Sequence, residues 1–364
     1  MIFYSTPDIN PISNTSVSDL LFSLGFVDFD LVIYEFVIPS IGLVGLILCT
    51  ISIWIFFVKK AFKNQIYDYY RFLVTVYWIH LLLSIPYGLF FTPRYFPSIN
   101  SYPWAILQSF YITFSNFLCH LTGVIEIGIL MDRMKNFSSF VKKYYMLSPR
   151  KNCLIFLIAC ILINIFIAFV YVPGYAGDYY YFDSNTGLKK QNSFFYVVIT
   201  DFAASYEGLL LTIIVYVIRD LVTLTVGIIL NILSFVQFKL YLKKKSNMQM
   251  QRNQVLESRS MPLEIITILT LNNSNETNVK REVHFLYMIL TLCFNSIVSR
   301  IFLFSCNFYY LYVLDYVTLI LGTVIDLVLV SVPASSFFVF YFFNKHFKNA
   351  FWKLFSNKKK SQPF

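Results

Sequence analysis

The chain has 364 residues, of which 57% are hydrophobic, 20% aromatic and only 13% charged. A soluble domain carries about 25% charged residues, so this composition cannot cover a water-facing surface, and disorder is excluded because it needs low hydrophobicity. The net charge of +10 fits either nucleic acid or an anionic surface until the positions of the charges are considered.

A membrane helix needs about 20 apolar residues to cross about 30 Å of hydrocarbon. Seven stretches reach that length. Residues 31–58 are uncharged after Glu35, and residues 72–93 hold only His80. Residues 102–131 carry His120 and Glu126, and residues 152–177 are uncharged. Residues 208–238 contain the adjacent pair Arg219 and Asp220, residues 285–314 contain Arg300, and residues 317–343 contain Asp326. A transmembrane barrel would alternate apolar and polar residues. These stretches are apolar all round, so they read as helices.

The basic residues set the orientation. With the N-terminus outside, 24 of the 29 Lys and Arg fall on inner segments, while the outer segments hold Arg94, Lys189 and Lys190. The positive charge is therefore that of a cytoplasmic membrane face, not of a nucleic-acid interface. The expected division is an extracellular tail over 1–30, a bundle over 31–343, and an amphipathic helix with a cytoplasmic tail over 344–364. The tail has no Lys or Arg, so no signal-peptide basic region is visible. It carries a glycosylation sequon at Asn14.

The outer loop 178–207 is long and rich in Tyr, and the inner loop 243–282 is long and polar. In residues 344–355, Phe347, Phe351, Leu354 and Phe355 share one helical face and Lys345, Lys348 and Lys353 another, which predicts a helix lying on the inner membrane surface. All six Cys fall in or at the ends of spans and read as small buried apolar residues. No phosphate loop, metal-ligand spacing or catalytic constellation is present, so the sequence points to no enzyme and to no cofactor or metal.

The third span ends in Met131, Asp132, Arg133 and Met134. This resembles the Asp-Arg-Tyr motif of rhodopsin-like G-protein-coupled receptors, with Met134 in place of Tyr. Leu292, Cys293, Phe294, Asn295 and Ser296 are similar to the Cys-Trp-x-Pro of the family's sixth helix, and residues 343–351 to its eighth. The resemblance covers nearly all of residues 31–355. In character it is nearest to invertebrate peptide and chemosensory receptors. The chain departs from the family elsewhere. His80 falls near the sodium-site Asp, Leu46 near the first-span Asn, and Val330 near the retinal Lys. Gln108 falls near the Cys of the outer disulfide, and Ser336, Phe337 and Phe340 occupy the Asn-Pro-x-x-Tyr segment.

The resemblance implies an all-α membrane protein: a seven-transmembrane helix bundle with a C-terminal amphipathic surface helix, in the plasma membrane. It further implies a receptor that passes binding of an extracellular peptide or small chemosensory molecule to a heterotrimeric G protein. Asp132, Arg133, Phe294 and Phe347 are the expected coupling residues. Intramembrane charges mark functional sites, so Gln108, Arg219, Asp220, Asn295, Arg300 and Asp326 are candidates for a polar pocket floor. The bland alternative is mutual neutralisation, Asp220 or Asp326 with Arg300. Glu126 reads as a hydrogen-bonded core carboxyl, and His80 and His120 as satisfied core residues. A multi-pass transporter or channel is the competing function. It would require a continuous polar path and repeat symmetry.

Overall fold

A computed structural model of the chain describes residues 32–59, 62, 67–91, 102–137, 139–144, 148–165, 171–182, 189–257, 283, 286–302, 304–305 and 316–355. The glycosylation sequon at Asn14 lies outside the described residues, as does Cys306.

Seven helices form the bundle. The first is Ile38–Val58, entered through a π-helical turn at Ile33–Val37. The second is Asp68–Phe91 and the third Tyr102–Phe137. The fourth, Pro149–Asn164, starts on a Ser148 cap with Pro149 in its first turn, the position where a missing N–H is harmless. The fifth comprises Tyr206–Tyr216, a π-helical turn at Val217–Val222, and Thr223–Glu257. The sixth is Leu286–Phe302 and the seventh Tyr316–Phe343. A terminal helix, Lys345–Phe355, follows.

Ile38–Val58, Ala105–Lys135, Tyr206–Lys244 and Thr323–Phe343 are each long and apolar enough to cross a membrane. Their outward residues are apolar too. Leu43 and Ile47 on the first helix, Ile158 and Leu162 on the fourth, and Ile229 and Ile232 on the fifth are all exposed. Such a surface is stable in lipid and not in water. The chain is a multi-pass membrane protein.

Two expected boundaries are corrected. The fourth span was expected to reach residue 177, but its described helix ends at Asn164, and an antiparallel hairpin of Tyr171–Phe182 and Lys189–Ile199 begins beyond it. Pro173 removes a helical donor, and Gly174 and Gly177 are poor helix formers. The pairing shifts register between Tyr175 and Gly177. Both strands lie against the third helix, so the outer loop is an ordered element over the bundle. The fifth helix runs on to Glu257, well past the expected end at 238. Its Lys-, Gln- and Met-rich extension consists of good helix formers. At 1.5 Å per residue, Tyr206–Glu257 is roughly 78 Å long, more than twice the hydrocarbon thickness.

Close backbone approach joins the first helix to its neighbours. A Cβ at Gly45 would stand 2.7 Å from Ala334 Cβ of the seventh helix, and one at Gly42 would stand 2.9 Å from Ser84 Oγ of the second. Cys49 Sγ donates to the Pro333 carbonyl at 3.7 Å. At the inner end, Phe56 packs on Phe340 with ring centroids 5.1 Å apart and on Phe347 at 5.4 Å. Asp68 accepts from Arg71 at 2.5 Å and from Arg150 at 3.0 Å, tying the second helix to the start of the fourth.

Candidate functional site: a polar column along the third helix

Asp132 and Arg133 stand on the last turns of the third helix, and both are buried. Arg133 lies within reach of the Tyr70 hydroxyl, and Asp132 lies 3.8 Å from Lys135. Tyr67, just before the second helix, bridges this end of the bundle to the terminal helix. Burial raises its phenol above the ordinary value, while the Arg133 charge and a hydrogen bond to Asn344 act in the opposite direction. Asn344 Oδ1 accepts from the amides of His346 and Phe347, both at 3.1 Å. It is the N-cap of the terminal helix. Phe347 is fully buried against Phe337 and Phe340, while Trp352 and Phe355 are exposed on the apolar side.

Two to three turns outward, Tyr77 donates to Glu126 Oε1 at 2.9 Å, and the Ser296 hydroxyl also reaches Glu126. Arg300 crosses from the sixth helix to the third. Its Nη2 donates to the Cys119 carbonyl and its Nε to Ser296 Oγ at 3.4 Å. The guanidinium passes over Gly123, where an added Cβ would run into it. Two cavities of about 20 Å³ flank the crossing, each room for one water.

Arg219 and Asp220 are each 1% exposed. Arg219 donates to Asp220 through Nε at 2.8 Å and Nη2 at 2.5 Å, and to Asn116 Oδ1 of the third helix at 2.6 Å. Its guanidinium also lies 4.7 Å from the Tyr216 ring. Adjacent residues of an α-helix do not face each other. Here both sit in the π-helical turn Val217–Val222, whose extra residue turns them to one side.

Asp326 accepts from Tyr34 at 2.7 Å, joining the seventh helix to the start of the first. His80 meets Ser115 at 3.5 Å, and His120 meets Asn164 at 2.8 Å. The two histidines thus have separate partners.

The geometry separates residues that the sequence reading grouped. Asp220 pairs with Arg219 and not with Arg300, and Asp326 meets Tyr34, so neither expected ion pair to Arg300 forms. Phe294 is 63% exposed on the outer face of the sixth helix, whereas Cys293 is 3% exposed. The inward position expected for Phe294 is corrected. Both flanks of this helix are apolar, so hydropathy gave no rotation. Asn295 is half-buried. Gln108 lies on the third helix, and its side chain is outside the described residues. Asn116, Tyr77, Ser296 and Gly123 are the members of the column that the sequence reading missed. Neutral residues give no signal in an apolar span until a charged neighbour is placed against them.

No known family matches the sequence, and no curated protein matches it. Among solved structures the chain is similar to squid rhodopsin, with a TM-score of 0.58 over 94% of this chain and 87% of that one, at 10% sequence identity. The likeness establishes the fold as a rhodopsin-like bundle of seven helices.

Proposed function

We propose that the chain is a plasma-membrane receptor of the G-protein-coupled kind, with its N-terminus outside and its C-terminus in the cytosol. Binding of an extracellular peptide or small molecule is passed to a heterotrimeric G protein at the inner face. One observation carries this reading: on a rhodopsin-like bundle, Arg133 is held inside the inner end of the third helix by Tyr70, beside a terminal helix that docks through Phe347. A buried cation at a helix end, where it would otherwise snorkel to water, is a group kept for release. Outward movement of the sixth helix frees it to meet a partner, a two-state change of packing.

The ligand site belongs outward of the layer formed by Arg219, Asp220 and Arg300, with Asp326, Asn295 and Gln108 toward its rim. Arg219 spends its donors on Asp220 and Asn116, so the layer serves as a floor and not as a receptor for an anion. The transporter reading gains no support. The described charges pair locally across neighbouring helices and line no continuous route between the two faces.

The test uses the full chain in cells carrying reporters for each G-protein class, challenged with peptide and small-molecule collections. Arg133→Ala is expected to abolish signalling while surface labelling persists. Full signalling by that variant removes the assignment. A tag at each end labelling from the same side of intact cells removes the topology.

A further inference from the structure

We propose that Arg300 is a two-position latch between the sixth and third helices, seated on the Cys119 carbonyl in this structure and able to transfer to the Glu126 carboxylate when the sixth helix moves. What the movement transmits rests on the receptor reading. The latch itself rests only on the geometry.

Three observations support two seats. The first is the nature of the present seat. The Cys119 carbonyl accepts from Arg300 and from Thr122 Oγ1 at 2.8 Å, and it also lies within a helical ladder that uses the same oxygen. A carbonyl has two lone pairs, so a crowded neutral acceptor is holding a cation. The second is a better acceptor close by. Glu126 lies one turn along the third helix from Gly123, its charge and that of Arg300 act on each other, and Ser296 touches both. A charge-assisted pair is roughly twice as strong as a bond to a neutral acceptor. The third is room to move. The cavity on the fifth-helix side is lined by both Arg300 and Glu126, and the one toward the second and seventh helices by Arg300, His80 and Pro333. Gly123 makes the first seat possible, because any side chain there would occupy the path of the guanidinium.

In the present arrangement Tyr77 completes the hydrogen bonding of Glu126. Transfer of Arg300 to Glu126 therefore changes the partners of the second, third and sixth helices together, which gives the bistable element that a switch requires.

The test measures the distance between spin labels at Lys135→Cys and Tyr287→Cys, both at the inner ends, in the purified full chain in lipid nanodiscs. Signal from the native cysteines is subtracted using unsubstituted protein. Gly123→Ala blocks the first seat and is expected to raise the long-distance population about fivefold or more. Glu126→Gln removes the second seat at constant volume and is expected to suppress that population, in the native background and in Gly123→Ala alike. If Gly123→Ala fails to fold, Ser296→Ala, which removes the bridging hydroxyl, must shift the distribution in its place. Distance distributions unchanged in Glu126→Gln and in whichever of the other two variants folds overturn the latch. A shifted distribution with no G-protein activation in any reporter leaves the latch standing and removes the receptor reading.

Discussion

Arg219 holds the carboxylate of the residue that follows it, Asp220, through hydrogen bonds of 2.8 and 2.5 Å. Both are buried, and Asn116 takes up the remaining arm of the guanidinium. Removing one member of such a pair strands a charge at about 3–5 kcal/mol, whereas replacing both with apolar residues of similar volume is often close to neutral. Arg219→Ala is therefore expected to lower the thermal unfolding midpoint of the detergent-purified protein sharply. Arg219→Met combined with Asp220→Leu should recover most of that loss. Additive losses in the double variant would show that the two residues act independently.

The first and seventh helices meet where Gly45 faces Ala334. A methyl group on Gly45 would stand 2.7 Å from the Ala334 Cβ and 3.0 Å from its Cα, so a backbone has to move. Overpacking of this kind typically costs about 1–3 kcal/mol. Gly45→Ala is expected to destabilise by that amount, and adding Ala334→Gly should restore stability because it removes the opposing methyl. A Gly45→Ala variant as stable as the native protein would mean that the two helices sit further apart.

The number of spans and the sidedness of the basic residues could be read from the sequence because both rest on strong constraints: the thickness of hydrocarbon and the bias of Lys and Arg to one face. Rotation about each helix axis could not. In a soluble helix the apolar stripe marks the core, but here Phe36 and Ile38, one exposed and one buried, are equally apolar. The same ambiguity concealed the outward direction of Phe294. The partner of Asp220 was hidden for a different reason. A regular helix sends adjacent side chains apart, and nothing in the residues Val217 to Val222 announces the π-helical turn that brings Arg219 and Asp220 together. The hairpin was missed because an uncharged stretch through Gly177 satisfies a hydropathy count even where Pro173 and Gly174 argue against a helix. The terminal helix was the best specified element, since the alternation of Phe with Lys at helical spacing sets its rotation as well as its existence.

Asn344 caps that helix through the amides of His346 and Phe347, and Phe347 anchors it. Loss of an N-cap costs about 1 kcal/mol and truncation of a buried Phe about 3–5 kcal/mol. Amide hydrogen exchange across residues 345–355 is expected to rise modestly in Asn344→Ala and strongly in Phe347→Ala, with the first helix unaffected in the former. Equal protection in Phe347→Ala would detach this residue from the docking of the helix.

The rotation of the sixth helix rests on neighbours of opposite fate. Cys293 is packed in the core beside Leu292 and Ile289, while Phe294 faces outward. Lipid tails are as apolar as a Leu side chain, so Phe294→Leu is expected to leave the unfolding midpoint nearly unchanged. Cys293→Leu adds volume to a filled site and should cost about 1–3 kcal/mol. A label carried at Phe294→Cys should be quenched efficiently by a quencher dissolved in the acyl chains, and Cys293 in the native protein should resist modification. If the label at 294 were shielded from lipid and Cys293 modified readily, the helix would be turned the other way. Arg300, six residues on, would then no longer reach Cys119, and the latch would lose its geometry along with the floor of the proposed ligand site.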